Sequence, residues 1–144
     1  MKRRFFLAAM FVFAGVVVTS LADTDAEVNA RKNALDVAGA FTNDGFKLRD
    51  GHWCGNLKAH DHALIAVNLY AGNQYWFAVG AADPAKKIAV NIYDETGRLL
   101  TTEHYEGGDR AAAGFSPNDS GQYFVSVDLV EGGSSSFCLI YSYK

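Results

Sequence analysis

The sequence is poor in the residues that most often carry chemistry. Its 144 residues include two cysteines, two prolines, two tryptophans and two methionines. No Cys-x-x-Cys spacing occurs, which removes a dithiol redox motif, and neither cysteine sits in a basic setting that would depress a thiol pKa. No Gly-x-Ser-x-Gly elbow occurs, so that route to an activated serine is missing. Basic charge is scarce too, with 13 Lys and Arg against 16 Asp and Glu. A basic stripe for nucleic acid is therefore excluded, and an acidic chain does not suit an anionic membrane surface.

What is present begins with a targeting pattern. Lys2, Arg3 and Arg4 precede an apolar run from Phe5 to Val18, and Ser20-Leu21-Ala22 offers small residues just before Asp23 and Asp25. This is the three-part order of a cleavable signal peptide. The run is fourteen residues long, whereas a membrane-crossing helix needs roughly 20. The expectation is cleavage after Ala22 and export to the periplasm or beyond, with no membrane span afterwards. Loss of three basic residues leaves 10 against 16 acidic ones, a net charge of −6. The division expected is residues 1–22 as signal peptide, 23–50 as helix and linker, and 51–144 as a β-sandwich domain.

Export makes a disulfide the default use of Cys54 and Cys138. Closing a loop of that length contributes on the order of 4 kcal/mol by chain-entropy arithmetic.

Hydrophobic periodicity then assigns the elements. Val28, Leu35, Ala38 and Phe41 recur at helical spacings between Asp25 and Phe41, and Asn43-Asp44-Gly45 ends that helix. Beyond Gly51 the period becomes two. Leu64 to Tyr70 and Gln74 to Val79 alternate on either side of Ala71-Gly72-Asn73, which predicts a hairpin. Further strands are expected over Lys87–Tyr93, Arg98–His104, Ala111–Phe115, Gln122–Leu129 and Phe137–Tyr143. Short strands with turns between them and no intervening helix imply antiparallel pairing. The fold class expected is all-β, an antiparallel jelly-roll-like sandwich with a short N-terminal helix.

Each strong strand has one wholly apolar face and one mixed face, and the mixed faces carry Tyr70, Trp76, Tyr93 and Phe124. These four rings have two readings: packing beneath the N-terminal segment, or an aromatic binding platform on which sugar rings stack. Cys138 shares the mixed face of the last strand, so a bond to Cys54 brings the N-terminal segment close to it.

Three segments carry a family resemblance. Leu69-Tyr70-Ala71-Gly72-Asn73-Gln74-Tyr75-Trp76-Phe77, Val90-Asn91-Ile92-Tyr93-Asp94-Glu95-Thr96-Gly97, and Phe115-Ser116-Pro117 with Ser120-Gly121-Gln122-Tyr123-Phe124-Val125 resemble bacterial pre-peptidase C-terminal (PPC) domains. The resemblance covers about Trp53 to Tyr143 and stands alone behind the signal peptide. It implies a jelly-roll-like sandwich that serves as a non-catalytic appendage, and in some members a calcium site. Here Asp83, Asp94, Glu95, Asp119 and Asp128 are the acidic residues in or near turns, without the dense spacing of a calcium loop.

A second metal candidate is His60-Asp61-His62, because His-x-His on a strand turns both rings to one face; His52 or Asp61 would have to complete it, and Asp94 is a further candidate. The expected function is an exported, non-enzymatic binding module for a polysaccharide or a secreted or envelope protein. Its alternatives are a small exported inhibitor of a protease or lysozyme, and a self-assembling structural envelope protein.

Overall fold

The computed structural model describes residues 23–144, so the signal-peptide segment lies outside the described residues. One helix, α1 (Asp25–Thr42), precedes nine strands. These are β1 (Lys47–Leu48), β2 (Trp53–Leu57), β3 (His62–Leu69), β4 (Tyr75–Ala81), β5 (Ala85–Tyr93), β6 (Glu103–Glu106), β7 (Arg110–Phe115), β8 (Gly121–Gly132) and β9 (Ser135–Tyr143). They form two antiparallel sheets. The larger runs β1-β9-β4-β7-β6, with β2 also on β9, and the smaller runs β3-β8-β5. The all-β sandwich with an N-terminal helix is thus the observed fold.

The hairpin expected across Ala71-Gly72-Asn73 does not form. β3 pairs with β8 in the small sheet, while β4 pairs with β7 and β9 in the large one. The chain crosses between sheets instead. Ile65, Val67 and Leu69 face Tyr75, Phe77 and Val79 through one shared core, and alternation alone reads the same for a crossing as for a hairpin. Hydrogen bonds fix the corner: the Tyr75 hydroxyl accepts from the Tyr70 N–H at 2.9 Å, and Ser120 Oγ accepts from the Ala71 N–H at 2.8 Å. The segment after Asp94-Glu95-Thr96-Gly97 also crosses. Of the strand expected over Arg98–His104, Leu99 keeps a bridge to Tyr93, while Glu103 and His104 belong to β6, which pairs with β7. A further crossing joins β7 to β8, and these three connections gather at one end of the sandwich, opposite the end where β2–β3, β4–β5 and β8–β9 cross.

The helix starts on a capping box. Thr24 Oγ1 accepts from the Glu27 N–H at 3.2 Å and Glu27 Oε2 from the Thr24 N–H at 3.3 Å, which satisfies two donors the first turn leaves free. Its buried residues are Ala30, Ala34, Val37 and Ala38. The apolar stripe read from Val28 and Leu35 is therefore corrected, since these are 45% and 44% exposed. Small side chains win because the helix lies directly on the large sheet. A Cβ on Gly80 of β4 would come within 2.3 Å of the Ala34 nitrogen and 2.4 Å of the Ala30 oxygen. Asn33 Nδ2 donates to the Ala81 carbonyl at 2.9 Å and Arg110 Nη2 to Asn33 Oδ1 at 2.9 Å, which latches the helix to the strand ends.

Two cores result. One lies between the sheets, with Phe77, Ile92, Val125, Val127 and Leu139 at its centre. The other lies between helix and large sheet and holds Ala78, Ala112, Cys138 and Ile140. Cys54 and Cys138 are bonded, as the two-cysteine count predicts, and sit opposite each other in the β2–β9 ladder. The region expected as linker contributes β1, an edge strand on β9. None of the described helices is long and apolar enough to cross a membrane.

Candidate functional site

Among the described residues, no element packs on the outer face of the small sheet. Antiparallel register sets its outward residues in three cross-strand rows: His62–Asp128–Ala89, Leu64–Ser126–Asn91 and Ala66–Phe124–Tyr93. Alternation sends Val67, Val125 and Ile92 inward, so these neighbours must point out. Leu64 is 59% exposed, while Phe124 and Tyr93 are half-buried.

A groove of about 510 Å³ runs over this face, lined by His62, Leu64, Tyr93, Phe124, Ser126 and Asp128 and closed by Glu95, Thr96 and Gly97 of the β5–β6 crossing. Asp128 forms its polar floor. Its carboxylate accepts from Asn91 Nδ2 at 2.9 Å and from Ser126 Oγ at 2.5 Å. Glu95 and Thr96 also line a second cleft of about 210 Å³, with Asp94, Asp119, Ser120, Gly121, Gln122 and Tyr123. The groove and the cleft therefore form one surface that wraps the end of the sandwich. Glu95, Asp119 and Asp128 make no ion pair among the described residues. The Tyr123 hydroxyl donates to the Asp119 carbonyl at 2.7 Å, which holds the β7–β8 crossing in shape.

The four rings proposed from sequence separate into three places. Tyr93 and Phe124 are direct cross-strand neighbours in the groove. Tyr70 is 63% exposed and belongs to another hollow around the corner. Trp76 lies on the helix side of the large sheet, stacked on Phe41 with centroids 4.1 Å apart and planes at 8°. Its ring also covers Gly114, where a Cβ would meet it at 2.8 Å. Trp76 is thus packed beneath the N-terminal segment and is not part of the open face.

The metal candidates do not assemble. His60 sits in the turn before β3 with φ of 61°, so the period-two argument that aligned it with His62 does not apply. Asp94 is occupied within its own turn. Its Oδ1 accepts from Thr96 N at 2.9 Å, Thr96 Oγ1 at 2.6 Å and Arg98 N at 3.0 Å, and Arg98 Nε lies 3.2 Å from Oδ2. The Thr96 hydroxyl, then the Arg98 N–H, hold this carboxyl below its ordinary pKa. Among the described residues no three His, Cys, Asp or Glu side chains gather as a metal set.

Sequence reading did not single out Leu64, Thr96 or Ser126. Each occupies an outward or turn position that acquires meaning through the pairing of β3, β8 and β5, and that register is set by non-local contacts. The outward phase of the alternation was the available signal.

No family model matches the chain, and no curated protein matches it. Among solved structures it is similar to the crystal structure of Aeromonas hydrophila PliG, a periplasmic lysozyme inhibitor of g-type lysozyme. That similarity has 14% identity and a TM-score of 0.47, over 65% of this chain and 85% of that one.

Proposed function

We propose that this chain is an exported, non-catalytic binding protein of the kind the PPC resemblance describes, and that its open end and face dock a basic secreted protein, as an inhibitor of a hydrolase would. The observation that carries the reading is the continuous surface of groove and cleft, where Leu64, Phe124 and Tyr93 supply apolar contact and Glu95, Asp119 and Asp128 supply unpaired negative charge. Aromatic anchors at the centre with a polar rim are the usual anatomy of a protein interface. An acidic rim also speeds capture of a cationic partner, most strongly at low salt.

A polysaccharide ligand is the weaker reading on this face. Trp76, the ring best suited to sugar stacking, is held against Phe41 beneath the helix, and exposed Leu64 offers nothing to a sugar hydroxyl.

The test uses the oxidised protein against a basic lysozyme, the enzyme class bound by the similar inhibitor, with a basic protease in parallel. The expected result is saturable binding and inhibition of one of them, with an association rate that falls as salt rises. Glu95→Lys with Asp119→Lys should slow association roughly tenfold at low salt. Binding that ignores both salt and these charges would overturn the proposal.

A further inference from the structure

A second hollow lies at the corner where β3 passes to β4, and its chemistry is the opposite of the acidic groove. It measures about 380 Å³ and is lined by Tyr70, Tyr75, Tyr141 and Tyr143 with Arg49, Asn68 and Asn73. That volume is in the range of roughly 300–1,000 Å³ typical of small-ligand sites. No carboxylate lines it, although the chain as a whole is acidic.

Donor accounting gives the ligand class. The Tyr75 hydroxyl accepts from the Tyr70 N–H at 2.9 Å and from Asn73 Nδ2 at 3.1 Å, so its lone pairs are engaged. The Tyr141 hydroxyl accepts from Arg49 Nη1. Neither phenolic proton meets an acceptor among the described residues, although Tyr75 and Tyr141 are only 4% and 3% exposed. Burial raises the Tyr141 phenol above its ordinary pKa, against the pull of Arg49, so the proton stays in place at neutral pH. The Arg49 guanidinium lies 5.1 Å from the centroid of the Tyr141 ring and makes no ion pair among the described residues. Unspent O–H donors beside a free cation call for an anionic acceptor, and charge-assisted hydrogen bonds to a carboxylate are the strong ones. Around them, Tyr70 and Tyr143 are 63% and 38% exposed, and the Asn68 and Asn73 amides can bond hydroxyl groups.

We propose that this hollow binds a sugar acid. The ligand's carboxylate accepts from Tyr75, Tyr141 and Arg49, and its pyranose ring lies against Tyr70 and Tyr143. The hollow shares no lining residue with the groove or the cleft, and the proposal does not depend on the docking reading.

The test is titration of the full oxidised protein with trigalacturonate and with its methyl ester, followed by calorimetry and tyrosine fluorescence. Trigalacturonate should bind saturably, and the methyl ester at least tenfold more weakly. Arg49→Gln should weaken trigalacturonate binding roughly tenfold. Tyr141→Phe, which removes one proton and keeps the ring, should weaken it several-fold. Thermal unfolding of both variants checks that the fold survives, and Glu95→Lys should leave the titration unchanged. Equal binding of acid and ester, or no binding of either, would sink the proposal.

Discussion

The two sheets treat their outer faces in opposite ways. The large sheet carries Trp76, Ala78, Ala112, Cys138 and Ile140 outward, and α1 covers them to make a second core. The small sheet carries Leu64, Ala66, Phe124 and Tyr93 outward, and among the described residues no element packs there. Both faces alternate in the same way in the sequence, and both include aromatics. The difference comes from the partner: on the large sheet Gly80, Ala78 and Ala112 leave room for a helix at backbone distance, whereas the small sheet turns Leu64, Phe124 and Tyr93 outward over a polar floor in which Asp128 accepts from Asn91 and Ser126. Small residues mark a face made for a helix, and mixed aromatic and carboxylate residues mark one left for something else.

The strongest way to break this comparison is to lift the helix. Gly80→Ala places a Cβ against the backbone of Ala30 and Ala34, which cannot turn aside as a flexible side chain would. The expected loss is about 3 kcal/mol, at the upper end of overpacking costs, read as a lower midpoint in urea unfolding. An unchanged midpoint would mean that the helix does not sit on β4.

The next test sets one ring from each face against the other. Trp76→Ala removes a ring packed between Phe41 and Gly114 and should cost about 2–3 kcal/mol of stability, less than a fully buried tryptophan because Trp76 is only partly buried. Phe124→Ala should cost only about 1 kcal/mol and yet weaken partner binding about tenfold or more. Urea unfolding and a binding titration on the same samples give both numbers. Matching stability losses, or a binding loss for Trp76→Ala alone, would reverse the assignment of the two faces.

Much of this layout was legible in the sequence. The helix, the inward faces of the strong strands and the Cys54–Cys138 bond follow from period, turn residues and compartment. What alternation cannot supply is which strand lies beside which. Leu69 to Tyr75 reads as a hairpin because both flanking strands bury one face, and both do so against the same core from opposite sheets. The same gap hid the site. Tyr93 and Phe124 are 31 positions apart and become neighbours only through the β5–β8 register. Trp76 stands among candidates of the same appearance until Phe41 is seen stacked on it. Val28 and Leu35 misled for a related reason: a helix that must approach backbone closely buries alanines and leaves its larger residues at the margin.

The smallest effect concerns the rim of the open face, where Asp94 organises the β5–β6 crossing that supplies Glu95 and Thr96 to the groove. Hydrogen bonds from Thr96 and Arg98 lower the Asp94 pKa from 3.8 in the folded state. The folded protein therefore binds this proton less readily than the unfolded chain does. Its contribution is present in full above the unfolded value and is lost as pH falls through the folded one. Asp94→Asn should thus be less stable than the parent at neutral pH, and the gap should narrow below about pH 3.8. Because the turn is at the surface, the shift will be modest next to that of Gly80→Ala. Its second consequence is the more telling one. If the turn holds Glu95 in place, Asp94→Asn should also slow capture of a basic partner, although Asp94 itself is engaged with Arg98. A variant that loses the acid dependence but captures its partner at the parent rate would show that the crossing positions nothing, and that the groove alone does the binding.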